Sequence, residues 1–584
     1  MPLTKPALPP GFNYGEWRKL PRMARIKPMV LDWAQSGFGA PDLVYLIYII
    51  KIPLYILGAI GFVVLTPGIG SLGDISSWWT EPVVFQKVVI WTLLFEVLGF
   101  GCGFGPLSNR FSPPLGTFLY WLRPGTIRMP PWPGKVPGTK GTTRTVFDTV
   151  LYAGVLATAV FALVSPASRG SGNLDTALGL LPVERVLPLL IVLAIIGLRD
   201  KTIFLAARSE VYGALAVTFL FSGVDFVVGS QLILLMVWLG AASSKLTKHF
   251  PYVVSVMMTN NPLIRSQAVR RRFFRNFPTD IRPSKLSSFI AHSGTVVEFV
   301  VPVVLFLSDG GPVTMIAVAI MLVFHLNIIV SMPMGVPLEW NVFMMYGAVA
   351  MFAGHNAQYG LSDVTHWWPI IALMLVSAGS VVWGNFAPEK FSFLTSMRYY
   401  AGNWANSSWC FTPSAVAKWE HNVKKSGPLP RAQLVNRYGE EMTEVLVAKT
   451  WAFRAMHPQG RALFGLIPRA CGPNHETDYD IVDGENVTGP TLGWNFGDGH
   501  LNNEQLIEAL QEICHFEPGE LRVIILESQP MHTGSQQYRL IDAATGEFER
   551  GYVRVADQLA RQPWDVDDLP VYNVTRQAAG APAQ

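Results

Sequence analysis

QLILLMVWLGAASSKL, residues 231–246, is an apolar run that ends on a lysine. Two more apolar runs follow it, FIAHSGTVVEFVVPVVLFL at 289–307 and VTMIAVAIMLVFHLNIIVSM at 313–332. The first of these carries Glu298 and the second carries His325. A charge at the centre of a bilayer costs about 2.5–3.5 kcal/mol on insertion scales, so an ionisable residue in such a run is a functional candidate by position. Lys245, Glu298 and His325 are therefore read as one candidate cluster in a membrane protein.

The composition agrees. Half of the 584 residues are apolar and 15% are charged, with a mean hydropathy of +0.30, the balance of a membrane chain. A net charge of +4 gives no reason to expect nucleic acid. Cys102, Cys410, Cys471 and Cys514 form neither a CxxC pair nor a dense framework, so no zinc site and no disulfide scaffold is expected. The basic N-terminus lacks a short apolar core with a small-residue cleavage site, so no cleaved signal peptide is expected.

Outward from the opening stretch, apolar runs read as spans at about 43–65, 83–104, 146–164, 181–198, 289–307, 313–332, 340–354 and 369–382. Residues 211–221 and 231–242 are short, separated by Gly223-Val224-Asp225, and read as two tilted helices or a broken pair lining a cavity. The fold expected is an all-α polytopic bundle of about ten spans, some short or broken, followed by a small soluble α/β or α+β domain. Residues 1–40, 105–145, 199–201 and 245–287 hold nearly all the loop Lys and Arg, and an even span count puts them on one side. By the positive-inside rule that side is cytoplasmic, with both termini.

Four divisions follow: a basic interfacial segment at 1–40, a transmembrane domain at 41–385, a cytoplasmic soluble domain at 386–572 and a disordered tail at 573–584. Within the third, Asn502 and Gln505 read as a helix cap before Leu506, Ile507, Leu510 and Ile513. Val523–Leu526 reads as a buried strand, and 537–542 with 547–555 as a hairpin.

Each candidate has a plain reading beside the functional one. Lys245 is either an ordinary basic flank or a buried base. His325 is either packing or a polar group with a task. Glu298 and Glu96 need partners, and Lys51 or Lys87 would serve Glu96 as a structural ion pair. GWNFGDGH at 493–500 lacks a phosphate-binding pattern and reads as a turn-rich loop. His457, Cys471 and His475 lack zinc spacing, so no metal is expected.

Asp200-Lys201-Thr202, Val211-Tyr212-Gly213, Gly240–Leu246, Glu298 and Phe324-His325, in that order, resemble the membrane domain of vitamin K-dependent gamma-carboxylase and its bacterial relatives, the horizontally transferred transmembrane domain proteins. The similarity covers roughly residues 180–350. The whole chain also resembles a bacterial family of uncharacterised transmembrane proteins. The carboxylase resemblance implies a lysine base, matched by Lys245, acting with a quinone as cofactor. The family histidine after Asp-Lys-Thr has no counterpart; Arg208 and Glu210 stand in that segment.

Two functions are carried forward. One is an integral enzyme of the bacterial plasma membrane acting on a quinone or envelope lipid, with Lys245, His325, Glu298 and Arg208 at its site. The other is a non-enzymatic scaffold or lipid-transport partner whose C-terminal domain binds a protein. Membrane lipids are partners in both.

Overall fold

The computed structural model describes residues 4–102, 115–331, 338–399 and 401–576. Phe104 and Met332, where two expected spans end, and the tail from 577 lie outside them. Helix α1 is Arg22–Ser36, followed by α2 (Asp42–Val63), α3 (Pro82–Val97), α4 (Leu115–Trp121), α5 (Val146–Leu163) and α6 (Val183–Arg199). A broken segment comes next: α7 (Lys201–Ala206), a π-helical turn at Ser209–Gly213 and α8 (Ala214–Thr218). Then come α9 (Val224–Ser244), α10 (Phe250–Asn260), α11 (Lys285–Leu307), α12 (Pro312–Ser331), α13 (Leu338–Gly347) and α14 (Trp367–Phe386).

Among the described residues six helices, α2, α5, α9, α11, α12 and α14, are long and apolar enough to cross a membrane. The sequence pattern suggests about ten. The difference lies in length: α3 and α6 have 16 and 17 residues. At 1.5 Å per residue these reach about 24–26 Å, short of a hydrocarbon core of about 30 Å.

The pair expected at 211–221 and 231–242 resolves differently. Gly223-Val224-Asp225 does not interrupt a helix; it starts one. Gly223 takes φ 56 before α9, the Val224 amide donates to Asn173 Oδ1 at 2.9 Å, and Asp225 accepts the amides of Thr365 and His366 at 2.7 and 3.0 Å. α9 is thus a full 21-residue helix, and 72% of its apolar window is buried, against 22% for α2. It is the most buried of the six helices of spanning length. The real break is at Arg208, whose φ of 51 is left-handed.

The basic loop after α9 is ordered rather than a loose cationic surface. It contains α10 and a ribbon of β1 (Phe274–Asn276) and β2 (Asp280–Pro283). Arg270 donates to the carbonyls of Gln35, Asn261 and Ile264, and Arg282 donates to Ala560 O.

The C-terminal region holds β3 (Asn406–Phe411), β4 (Asp480–Asp483), β5 (Leu521–Leu526), β6 (Ser535–Asp542), β7 (Gly546–Arg554) and β8 (Tyr572–Arg576). They form one sheet in the order β4-β3-β5-β6-β7-β8, every neighbouring pair antiparallel. Trp409 pairs with Val523 and Ile524 with Leu540. Helices α15 (Glu440–Met456), α16 (Pro458–Cys471), α17 (Gly484–Leu492) and α18 (Glu504–Cys514) complete it. The strand and hairpin expected at 523–526 and 537–555 are present. The cap of α18 is Asn503 rather than Asn502, and the boundary set at 573 falls inside β8.

β5 explains its own composition. Leu521, Val523 and Ile525 enter a core shared with the membrane helices. Ile524 and Leu526 enter a second core with Met29, Trp33 and Leu463. A strand buried on both faces needs an unbroken apolar run. The shared core also includes Trp409, Leu492 and Trp494 together with Phe85, Trp121, Leu234 and Phe343. Thr117, Tyr120 and Trp121 of α4 donate to the carbonyls of Gly493, Thr491 and Leu492. α1 packs on α15, with Asp32 and Lys449 paired at 3.0 Å. The basic N-terminus is therefore clamped to the C-terminal region.

This sharing bears on autonomy. A 401–576 fragment would expose Trp409, Leu492, Trp494 and Val523 to water. Expressed alone, it is expected to lack a cooperative thermal transition and to bind a hydrophobic dye. A soluble monomer with a sharp transition by circular dichroism would refute the shared core.

Candidate functional site

α9, α11, α12 and α13 meet α10 and the C-terminal region around a cavity of about 400 Å³. Lys245, Glu298, His325 and Arg208 all line it. The four candidates, far apart in sequence, are thus brought to one place.

Lys245 follows the last residue of α9 and is buried, as is Glu298. Its Nζ donates to Glu298 Oε2 in a direct ion pair, and it lies 5.3 Å from the centre of the Phe250 ring. A lysine at a helix end is free to snorkel into headgroups; this one turns inward. One turn earlier Gly240 lets α9 pack closely on the segment after α14, where a Cβ would sit 2.8 Å from Met397 Cβ. The amine is presented as a proton donor to a carboxylate, whereas a general base has to offer a free lone pair.

His325 is held at both nitrogens. The Trp238 indole, which can only donate, gives its N–H to Nε2 at 2.9 Å. Nδ1 therefore carries the proton and donates to Asn341 Oδ1 at 2.7 Å. The ring is a neutral, oriented wall of the cavity, and it reaches a ligand only by giving up one of these bonds.

Arg208 occupies the helix break. A left-handed arginine costs about 1–3 kcal/mol of backbone strain and is kept only where its surroundings fix it. Here its guanidinium carbon lies 4.3 Å from the Trp340 ring centre and 4.9 Å from Phe496. Its Nε donates to Glu210 Oε1 at 2.8 Å, and Tyr399 donates to the same oxygen at 2.9 Å. Arg208 Nη1 reaches Cys102 Sγ at 3.3 Å. Among the described residues Lys51 forms an ion pair with Glu339, at 2.9 Å, where the sequence suggests Glu96.

The C-terminal region supplies what the sequence reading leaves out. Arg454 and Glu485 face the cavity from α15 and α17, with Trp404 and Phe453. Arg454 pairs with both Asp483 and Glu485. Burial weakens its charge, but these two carboxylates outweigh that and hold it above the ordinary arginine value. Phe496 and Gly497 also line the cavity, so the GWNFGDGH loop is part of the site. Its clustered glycines and aromatics were the available signal.

The Lys245–Glu298 pair sets a stability expectation. Lys245→Met leaves a buried carboxylate unpaired, a loss of about 3–5 kcal/mol for such groups. The variant should melt well below the parent in detergent, and the Lys245→Met/Glu298→Leu double variant should recover most of the difference. An unchanged midpoint for the single variant would place the lysine outside the pair.

A bundle with several helices of spanning length, closed at one end by a sheet region over a charged cavity, defines a multi-pass integral membrane protein. The chain belongs to the family described as transmembrane protein of unknown function (DUF3556), whose model matches residues 1–574. No curated protein and no solved structure matches it.

Proposed function

We propose that this protein binds an amphipathic lipid-phase molecule, of the quinone or envelope-lipid class, and holds its polar head at the buried charges. One observation carries the reading: the cavity runs from a charged interior to the outer face of the bundle. Its wall includes Phe289, which is 69% exposed, and the exposed Asn327. These lie near the start of α11 and towards the end of α12, the same end of an antiparallel pair. A ligand enters sideways from the bilayer at headgroup depth. Its apolar part lies against Ile290, Val297, Phe324 and Ile328. Its polar head, rich in acceptors, meets the donors of Lys245 and Arg208. Any chemistry on that head uses these groups as donors and electrostatic anchors, which departs from the lysine base implied by the carboxylase resemblance.

Orientation follows from charge. α3, α6, the broken 201–218 segment and α13 with its continuation to Ala353 complete a ten-pass thread through a thinned or covered slab. Arg169 supports it by holding the carbonyls of Phe219, Leu220 and Phe221, which places the 165–180 and 219–223 turns together. The basic loops and both termini are then cytoplasmic in a plasma membrane. A cysteine placed at Ser171 should react with an impermeant maleimide on intact cells, and one at Ser266 should not; the reverse pattern would invert the protein.

Gly294 tests the cavity. A Cβ there meets only Phe324 Cε2, at 4.0 Å, so Gly294→Phe grows into the cavity. Lipid extracted from the purified variant should lack a species that the parent retains, by about tenfold, equivalent to about 1.4 kcal/mol. Identical extracts would remove the lipid reading and favour the scaffold, for which the cavity is incidental.

A further inference from the structure

A second cluster of buried ionisable groups adjoins Arg208. Glu96 comes from α3, Cys102 from the turn after it, and Glu339 from the first turn of α13. One carboxylate oxygen of each Glu and the Cys102 sulfur lie within 4.8 Å of one another. All three side chains are buried, at 0%, 0% and 1% exposure. We propose that Glu96, Cys102 and Glu339 form a binding site for a divalent d-block cation, with zinc the best match.

The first support is the donor set. A sulfur with two carboxylate oxygens suits zinc, which takes sulfur and oxygen together, and disfavours magnesium and calcium, which take oxygen alone. Ligand atoms around tetrahedral zinc stand about 3.3–3.7 Å apart, from bond lengths of about 2.0–2.3 Å. The side chains need to close by roughly an ångström. Arg208 Nη1 already donates to Cys102 Sγ, the kind of outer hydrogen bond that steadies a metal-bound thiolate.

The second support is the surrounding polar atoms. Among the described residues no hydrogen-bond partner reaches Glu96 Oε1 or Glu339 Oε1. The same holds for the buried phenols of Tyr48 and Tyr212. Tyr48 lies in the field of Glu339, and Tyr212 in that of Glu96 and Cys102. Buried polar atoms are nearly always paired, and an unpaired oxygen on each of two adjoining buried carboxylates calls for an ion or water there.

The third is charge. The groups acting on one another here are Glu96, Glu339 and Glu210 against Lys51 and Arg208. Among the described residues one negative charge is left over where uncompensated charge is costly. Cys102 as thiolate adds a second, and a divalent cation cancels both. Three protein ligands would leave a position open, as in catalytic zinc sites. Arg208 links the site to the cavity by touching the thiol and lining the cavity wall. The ligands are scattered over the sequence, so no motif spacing announces them; the sequence reading expects no metal. The site stands whether or not the cavity takes a lipid.

The experiment uses the full chain in detergent, loaded separately with zinc and with cobalt and then desalted. Elemental analysis should give close to one zinc per chain, and the cobalt form should show a sulfur-to-cobalt charge-transfer band in the near ultraviolet. Cys102→Ser should abolish the band and Glu96→Gln should lose most of the metal, while Cys410→Ser keeps both. A parent chain that retains no near-stoichiometric metal overturns the site without any variant. So does a Cys102→Ser protein that keeps the band. A metal-free parent whose Glu96→Gln variant melts as high as itself would assign the surplus charge to a bound proton, and the site would again fall.

Discussion

The cost of placing ionised side chains in hydrocarbon governs this structure. Many of the buried charges are answered by a neighbour of opposite sign: Lys245 by Glu298, Lys51 by Glu339, Arg208 by Glu210, Arg144 by Asp200. All of these but Arg208–Glu210 join elements distant in sequence, so each of those three also fixes a packing. Arg144 and Asp200 tie the loop before α5 to the start of α7, where Asp200 Oδ1 also receives the Thr202 amide. Lys245 and Glu298 tie α9 to α11. Buried pairs of this kind add little net stability over apolar contacts, but losing one partner is expensive. They therefore specify which helices meet.

That same cost decides what could be read in the sequence. Lys245, Glu298 and His325 stood out because charge is rare in apolar runs, and the structure brings them together. Trp238 and Asn341 complete the histidine's hydrogen bonds yet carry no such signal, since indoles and amides are ordinary in membrane helices. Arg454 and Glu485 were hidden for the opposite reason: charges are cheap in a water-exposed stretch, and they become special only when the fold covers them. Asp225 misled, because a carboxylate between two apolar runs looks like an interruption. Its charge is met by backbone amides 140 and 141 residues away, which no local pattern records.

The C-terminal region teaches a related lesson. Periodicity located β5, the hairpin and α18, because each is a local event. It could not say that β5 has a membrane core on one face and the N-terminal helix on the other. A boundary drawn where composition turns polar, near 386, therefore cuts through a continuous apolar interior. The region is a lid grown onto the bundle, and the cavity exists because the two share a wall.

The clamp between the chain's two ends imposes an order on its making. Lys449 Nζ donates to Ala7 O, across 442 residues. At translation rates of about 5–20 residues per second, the first helix waits roughly 20–90 s for the surface it will cover. Ile26, Met29, Val30 and Trp33, fully or almost fully buried in the finished protein, share their core first with Val256, Phe274 and Ile281 of the middle of the chain, and the face that α15 covers stays open through that interval. The first helix is therefore seated in two stages, against α10 once the middle of the chain is made and against α15 once the C-terminal region arrives.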